Sequence, residues 1–182
     1  MGISFNADEV FEMGMDIEKN GEAYYRKAAE MTDDPEIKKI FVDLMTAEQQ
    51  HYETFRKLRE NLPAKDTSPL VSDPEDMEYL YLDALVKSRL FNDVREAENA
   101  CSERCDPVSI LQGALSFEKD TILFFTEMKG RTREDLGRQE IDRLIAEERD
   151  HVIWLSGMIK QIREKEALSL IHISEPTRPR LV

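Results

Sequence analysis

Glu18, Glu48 and His51 recur 100 residues later as Glu118, Glu148 and His151, with no gap needed. Their neighbourhoods recur as well. Ile17-Glu18-Lys19-Asn20 followed by Tyr24-Tyr25 answers Phe117-Glu118-Lys119-Asp120 followed by Phe124-Phe125. Ala47-Glu48-Gln49-Gln50-His51 answers Glu147-Glu148-Arg149-Asp150-His151. Such a repeat narrows the choice of fold, because both copies must find room for a Glu and a Glu-x-x-His in comparable surroundings.

Those surroundings are helical. Four segments, roughly 7–31, 35–60, 107–129 and 133–166, have no proline beyond their first residue and carry helical periodicity. In the second, Ile37, Ile40, Phe41, Leu44 and Met45 follow three- and four-residue steps, and Glu48 and His51 continue the same stripe. In the fourth, Ile141, Leu144 and Ile145 lead to Glu148 and His151, then to Leu155 and Met158. Asn6, with Glu9 three residues on, can cap the first helix. Asp34-Pro35, Asp73-Pro74 and Asp106-Pro107 each set a capping Asp before a proline suited to the first helical position. Gly130 is expected to close the third long helix, and Thr132 with Asp135 to open the fourth.

Short links within each helix pair make antiparallel neighbours, whereas about 45 residues separate the second long helix from the third. The pattern predicts an all-α four-helix bundle with a long crossover between helices 2 and 3. Within the crossover, Glu75–Ser88 reads as a shorter helix through Tyr79, Leu82, Leu85 and Val86. Asn92–Cys105 is polar and acidic and carries no assignment.

Strong acids and imidazoles thus fall on faces that should be buried. Burying unpaired charge is very costly, and a bound cation is the simplest remedy. Glu18 follows Asn6 by twelve residues and Glu118 follows Asp106 by twelve, about 18 Å of helix in each case. Glu48 precedes Glu60 by the same number, so all the acids can meet at mid-bundle. A Glu and a Glu-x-x-His, each supplied twice, is the ligand set of a two-metal site inside a four-helix bundle. Four carboxylates balance two divalent ions. Oxygen-rich donors with one imidazole per ion suit iron or manganese, and zinc could also occupy the site.

Composition excludes other classes. A net charge of −13 leaves no basic patch for nucleic acid and disfavours an anionic membrane surface. No apolar run spans a bilayer and no secretory signal opens the chain, so a cytoplasmic location is expected. Cys101 and Cys105 are too few for a disulfide scaffold and read as inert thiols. Leu168 to Arg178 resembles the translation of a transposase-based sequencing adapter. Residues 168–182 are therefore expected to be an artefact tail behind a domain of residues 1–167, which leaves the natural C-terminus beyond Ala167 open.

The run Glu18-x-x-Gly21-x-x-Tyr24-Tyr25, Glu48-x-x-His51, Glu118-Lys119-Asp120 with Phe124-Phe125, and Glu148-x-x-His151 resembles the rubrerythrin-type di-iron domain of the ferritin-like superfamily. The resemblance covers about Ala7 to Lys165 and implies a ferritin-like bundle. It implies two iron ions held by Glu18, Glu48, His51, Glu118, Glu148 and His151, and a hydrogen bond from Tyr25 beside them. Two departures stand out. The third helix lacks a second carboxylate three residues from Glu118, where Leu115 and Thr121 stand, and no Cys-x-x-Cys pair for a rubredoxin iron is present.

The implied function is a non-haem di-iron oxidoreductase that reduces peroxide or dioxygen, linked to oxidative stress. A small rubredoxin-like electron carrier would re-reduce it, and a homo-oligomer, a dimer by preference, is implied. The rivals are a ferroxidase or iron-handling protein and a scaffold that uses metal only for stability. Among the remaining residues, Glu22 and Glu147 read as solvated or, less often, as supports behind the ligands, Asp120 and Asp150 as supports for the histidines, and Trp154 and the methionines as core filler.

Overall fold

The computed structural model describes residues 7–63, 93–104, 106–132 and 134–174. They form α1 (Ala7–Met31), α2 (Pro35–Glu60), α3 (Val94–Ser102), α4 (Pro107–Arg131), a 3-10 turn (Glu134–Leu136) and α5 (Arg138–Ser174). No strand occurs among the described residues, and no helix there is long and apolar enough to cross a membrane.

The expected caps build two of the helix starts. The Asp34 carboxylate accepts from the backbone N–H of Glu36 at 2.8 Å and of Ile37 at 3.2 Å. Asp106 accepts from the N–H of Ser109 at 2.9 Å, and the Ser109 hydroxyl accepts in return from the N–H of Asp106 at 3.4 Å. The Asn6 and Asp73 caps and the helix expected at Glu75–Ser88 lie outside the described residues.

Side-chain contacts fix the directions of the helices. On α1 and α4, Tyr24 donates to the carbonyl of Ile110 at 2.9 Å and Tyr25 bonds Glu118, while Phe55 joins Phe11 at one ring edge to Phe125 at another. Rising numbers on α1 therefore meet falling numbers on α4. On α2 and α5, Glu36 lies 3.8 Å from Lys165, His51 bonds Glu147, and Leu58 touches Gly137. This pair is antiparallel too. Since α1 and α2 form one antiparallel hairpin, α2 and α4 run in the same direction, and the chain between them must travel the length of the bundle. That is the long crossover of a ferritin-like bundle.

The core is a stack of aromatic layers. Phe11, Phe55, Phe124 and Phe125 fill one end, with ring centroids 5.1–6.2 Å apart. Tyr24, Tyr25, Phe41 and Phe117 fill the other, at 5.7–6.4 Å. Ile37, Ile40, Leu44, Ile141, Leu144, Leu155 and Ile159 close the sides.

Four features differ from, or add to, the sequence-based expectations. Part of Asn92–Cys105 is the helix α3, capped by Asp93 and laid on α1 through the buried Ala97 and Cys101 and an Arg26–Glu98 ion pair at 3.0 Å. Its nine residues are too few to show a clear apolar stripe. The opening of the last helix is later than Thr132, which instead ends α4 by bonding back to the carbonyl of Met128. The chain then makes a 3-10 turn and reverses at Gly137, at φ +98°. At its far end α5 runs to Ser174, past Ala167, because no glycine or proline intervenes before Pro176. Trp154 is not core filler. It is 43% exposed, on the outer side of α5 with Ile153. The periodic stripe of α5 runs through Glu148, His151, Leu155 and Met158, and the neighbouring residue 154 turns away from it.

Gly137 is required twice over. Its φ suits glycine alone, and a Cβ there would lie 2.5 Å from Cδ2 of Leu58. Gly137→Ala is expected to destabilise the fold by about 1–2 kcal/mol. A thermal melt with an unchanged midpoint would show that the turn relaxes freely.

Candidate metal centre

The six side chains singled out by the repeat meet at mid-bundle. Glu18, Glu48, His51, Glu118 and Glu148 are fully buried, and His151 is nearly so. They arrive from four helices: Glu18 from α1, Glu48 and His51 from α2, Glu118 from α4, and Glu148 and His151 from α5. The three-residue spacing of Glu and His puts both on one helical face.

The donors sort into two overlapping groups. Glu18, Glu48, His51 and Glu148 offer atoms all within 4.8 Å of one another, and so do Glu48, Glu118, Glu148 and His151. Glu48 and Glu148 are common to both. The arrangement has the form of two ion positions, each with its own Glu and His, sharing two carboxylates. The imidazoles lie nearly parallel, 5.8 Å apart at their centroids.

Hydrogen bonding alone does not account for this cluster. Both oxygens of Glu18 and of Glu48, Oε2 of Glu118 and Oε1 of Glu148 are buried without a hydrogen-bond partner. Nδ1 of His51 lies 2.9 Å from Oε1 of Glu148 and 3.5 Å from Oε2 of Glu18, yet is not aligned to donate to either. Nδ1 of His151 lies 2.8 Å from Oε2 of Glu148 and 3.4 Å from Oε1 of Glu118. Buried lone pairs aimed at common points fit two divalent cations. Oxygen-rich donors with one imidazole each fit iron, manganese or zinc.

Without cations the site is electrostatically strained. Burial, together with the facing Glu18, Glu148 and Glu118, holds the Glu48 carboxyl far above its ordinary value. Burial and Glu148 push Glu118 up to about 8, against the opposing pull of His151. Burial by itself would lower both imidazoles, but the surrounding carboxylates prevail. Glu148 and Glu18 raise His51 to about 12, and Glu118 and Glu148 raise His151 to about 10. Burial opposes ionisation of Glu148 as well, yet the two histidines beside it hold its carboxyl far below the ordinary range.

Gly21 explains how the acids approach so closely. A Cβ at that position would lie 2.8 Å from the Phe117 ring and 2.9 Å from Cδ of Glu48. Tyr25 donates its phenol hydrogen to Oε1 of Glu118, the hydrogen bond expected of it. Glu147 takes the less expected of its two readings: although exposed, its carboxylate bonds Nε2 of His51 at 3.0 Å, a supporting role also expected of Asp120 and Asp150. The signal was its place beside Glu148 on the helix facing α2. Asp150 is exposed. Glu22 accepts from Gln49 at 3.0 Å at the surface. Cys101 is buried against α1, where burial pushes its thiol up to about 11, and Cys105 lies outside the described residues.

These shifts give the metal-free protein a defined pH response. Folded Glu48 and Glu118 keep protons that the unfolded chain releases above about 4.5, and folded His51 and His151 keep protons that it releases above about 6.5. All four make the folded state the better proton binder across neutral pH, so its stability falls as pH rises from about 6 to 9. Cations require the deprotonated donors, so the stabilisation they bring grows over the same interval. Thermal melts with chelator are expected to lose stability across this interval, and melts with added metal to hold level or gain. Parallel slopes would refute the assignment of the cluster as a metal centre.

Residues 4–59, spanning α1 and α2, match the Rubrerythrin family model. No curated protein matches the chain. Among solved structures, a ferritin-like diiron-carboxylate protein from Thermotoga maritima is similar, with 23% identity and a TM-score of 0.65 over 88% of this chain and 98% of that one. Its likeness concerns the fold. The chain thus folds as a ferritin-like bundle, and its first helical hairpin matches the Rubrerythrin family model.

Proposed function

We propose that the protein is a non-haem di-iron oxidoreductase that reduces peroxide or dioxygen. The observation that carries this reading is the pair of overlapping donor groups sharing Glu48 and Glu148. The chemistry supplied by an iron pair there is the transfer of two electrons to one oxidant molecule.

The chain's own groups suit that task. Glu48 and Glu148, common to both positions, can follow a change in ion charge by changing how they bind. Carboxylate charge from four helices offsets the cations, which holds the site near neutrality. The aromatic layers above and below exclude bulk water and keep the fields strong. Tyr25 holds a proton at Glu118 Oε1, within reach of the reacting centre. Peroxide reduction consumes two protons with its two electrons, and the phenol is one place to keep the first. His151, with its side chain 12% exposed against 2% for His51, marks the side from which a small oxidant reaches the centre.

The reading includes a small rubredoxin-like electron carrier as reductant, a cytoplasmic location and a homodimer. Iron handling is the second reading, and Thr121 favours it. This residue stands one turn beyond Glu118, buried, with an unpartnered hydroxyl where a further carboxylate would otherwise add a donor.

Stopped-flow oxidation of the ferrous protein separates the two. Peroxidase function predicts oxidation by peroxide at least ten times faster than by dioxygen, with iron retained through repeated cycles. Faster reaction with dioxygen followed by release of ferric ion would favour iron handling. A rate with peroxide equal to that of free ferrous ion would end the oxidoreductase reading.

A further inference from the structure

Among the positions where the internal repeat is broken, two differ in a hydrogen bond made to one of the donors. The first is at residue 47 and its mate. Glu147 on α5 reaches across to Nε2 of His51 on α2 at 3.0 Å. The repeat relates α2 to α5, so the corresponding support for Nε2 of His151 would come from residue 47. That residue is Ala47, which has nothing to offer. Among the described residues no carboxylate contacts Nε2 of His151, whose contacts run through Nδ1 to Glu118 and Glu148.

The second break is at residue 25 and its mate. Tyr25 on α1 donates to Oε1 of Glu118. Its counterpart in the repeat is Phe125, which has no hydrogen to donate. Both oxygens of Glu18 accordingly lack a hydrogen-bond partner, whereas Glu118 has only Oε2 unengaged.

The two breaks act in the same direction. A carboxylate on the outer nitrogen of a metal-binding imidazole fixes the ring and makes the inner nitrogen a better donor. A phenol bonded to a carboxylate occupies one lone pair and draws charge from the group. His51 and Glu18 therefore form the stronger half, and His151 and Glu118 the weaker. The greater exposure of the His151 side chain, 12% against 2% for His51, agrees with this order.

We propose that the two ion positions are inequivalent, with the Glu18–His51 position the tight one and the Glu118–His151 position the exchangeable one, and that Glu147 is the positioning residue that makes the difference. This rests on reading the cluster as a two-metal centre and adds which ion stays and which leaves. An oxidant or an incoming ion meets the Glu118–His151 position, while the other anchors the pair.

Because Glu48 and Glu148 are shared, any second ion binds more weakly than the first, so separate binding steps by themselves decide nothing. The identity of the first occupant decides. The chain has three histidines, His51, His151 and His172, which makes ring nitrogens a simple spectroscopic readout. Metal-free protein labelled with nitrogen-15 at histidine is titrated with zinc and followed by nuclear magnetic resonance. The His51 Nδ1 signal is expected to move with the first equivalent and that of His151 with the second. Glu147→Ala should weaken the first step by about 10–100-fold and bring the two signals together. Ala47→Glu, which installs the missing support, should strengthen the second step by a similar factor, and Tyr25→Phe should narrow the gap from the same side. Circular dichroism confirms that each variant is folded. Simultaneous movement of both histidines in the unaltered protein, His151 moving first, or indifference to Glu147→Ala would overturn the inequivalence. A protein whose His51 and His151 signals do not respond to zinc would sink the two-metal reading itself.

Discussion

Four carboxylates enclosed between two layers of aromatic rings set the terms for the whole molecule. Left to themselves they repel one another in a medium that screens poorly, and among the described residues no cationic side chain joins them beyond what the two imidazoles can supply by protonation. Hydrogen bonding cannot settle the matter, because most of the carboxylate oxygens have no donor to meet. Only cations, or protons in their place, make the interior tolerable. The surrounding features follow from this need: a glycine at 21 that lets Glu48 come in, a phenol on Glu118, and a carboxylate behind His51.

Most of this was legible in the sequence, because helical periodicity and metal coordination both leave marks at fixed spacing. Glu48 and His51 prolong the stripe of Ile37, Ile40, Phe41 and Leu44, and a polar residue on such a stripe is informative in a way that a surface acid is not. The donors and the crossover emerged from that pattern, as did the Asp34 and Asp106 caps. What escaped depends on approach between helices rather than on order within one. Glu147 resembles any exposed acid until α2 is seen beside it. Trp154 resembles a core residue by type, although it is one step around the helix from the buried stripe. The turn at Gly137 and the docking of α3 depend on contacts between elements, with Leu58 and with α1, that no local spacing announces.

The 100-residue repeat shows how an approximate symmetry can be put to use. Where the two copies agree, at Glu18 and Glu118 or at His51 and His151, the residues build a pair of matched positions. Where they disagree, at Tyr25 and Phe125 or at Ala47 and Glu147, the residues stand just outside the donors and touch one partner each. Agreement sets what kind of ion is held, and disagreement tunes how each is held.

The division of donors between the two hairpins has a mechanical consequence. Each ion position takes three groups from one hairpin and a single Glu from the other: Glu148 crosses over to Glu18, Glu48 and His51, and Glu48 crosses back to Glu118, Glu148 and His151. The helices approach more closely within a hairpin than across the gap between α2 and α5 or between α1 and α4. The cations therefore serve as a clasp at the loosest joint of the bundle. Gain or loss of charge at the clasp acts on the tilt of one rigid hairpin against the other, a lever several turns long on either side, rather than on the shape of either alone.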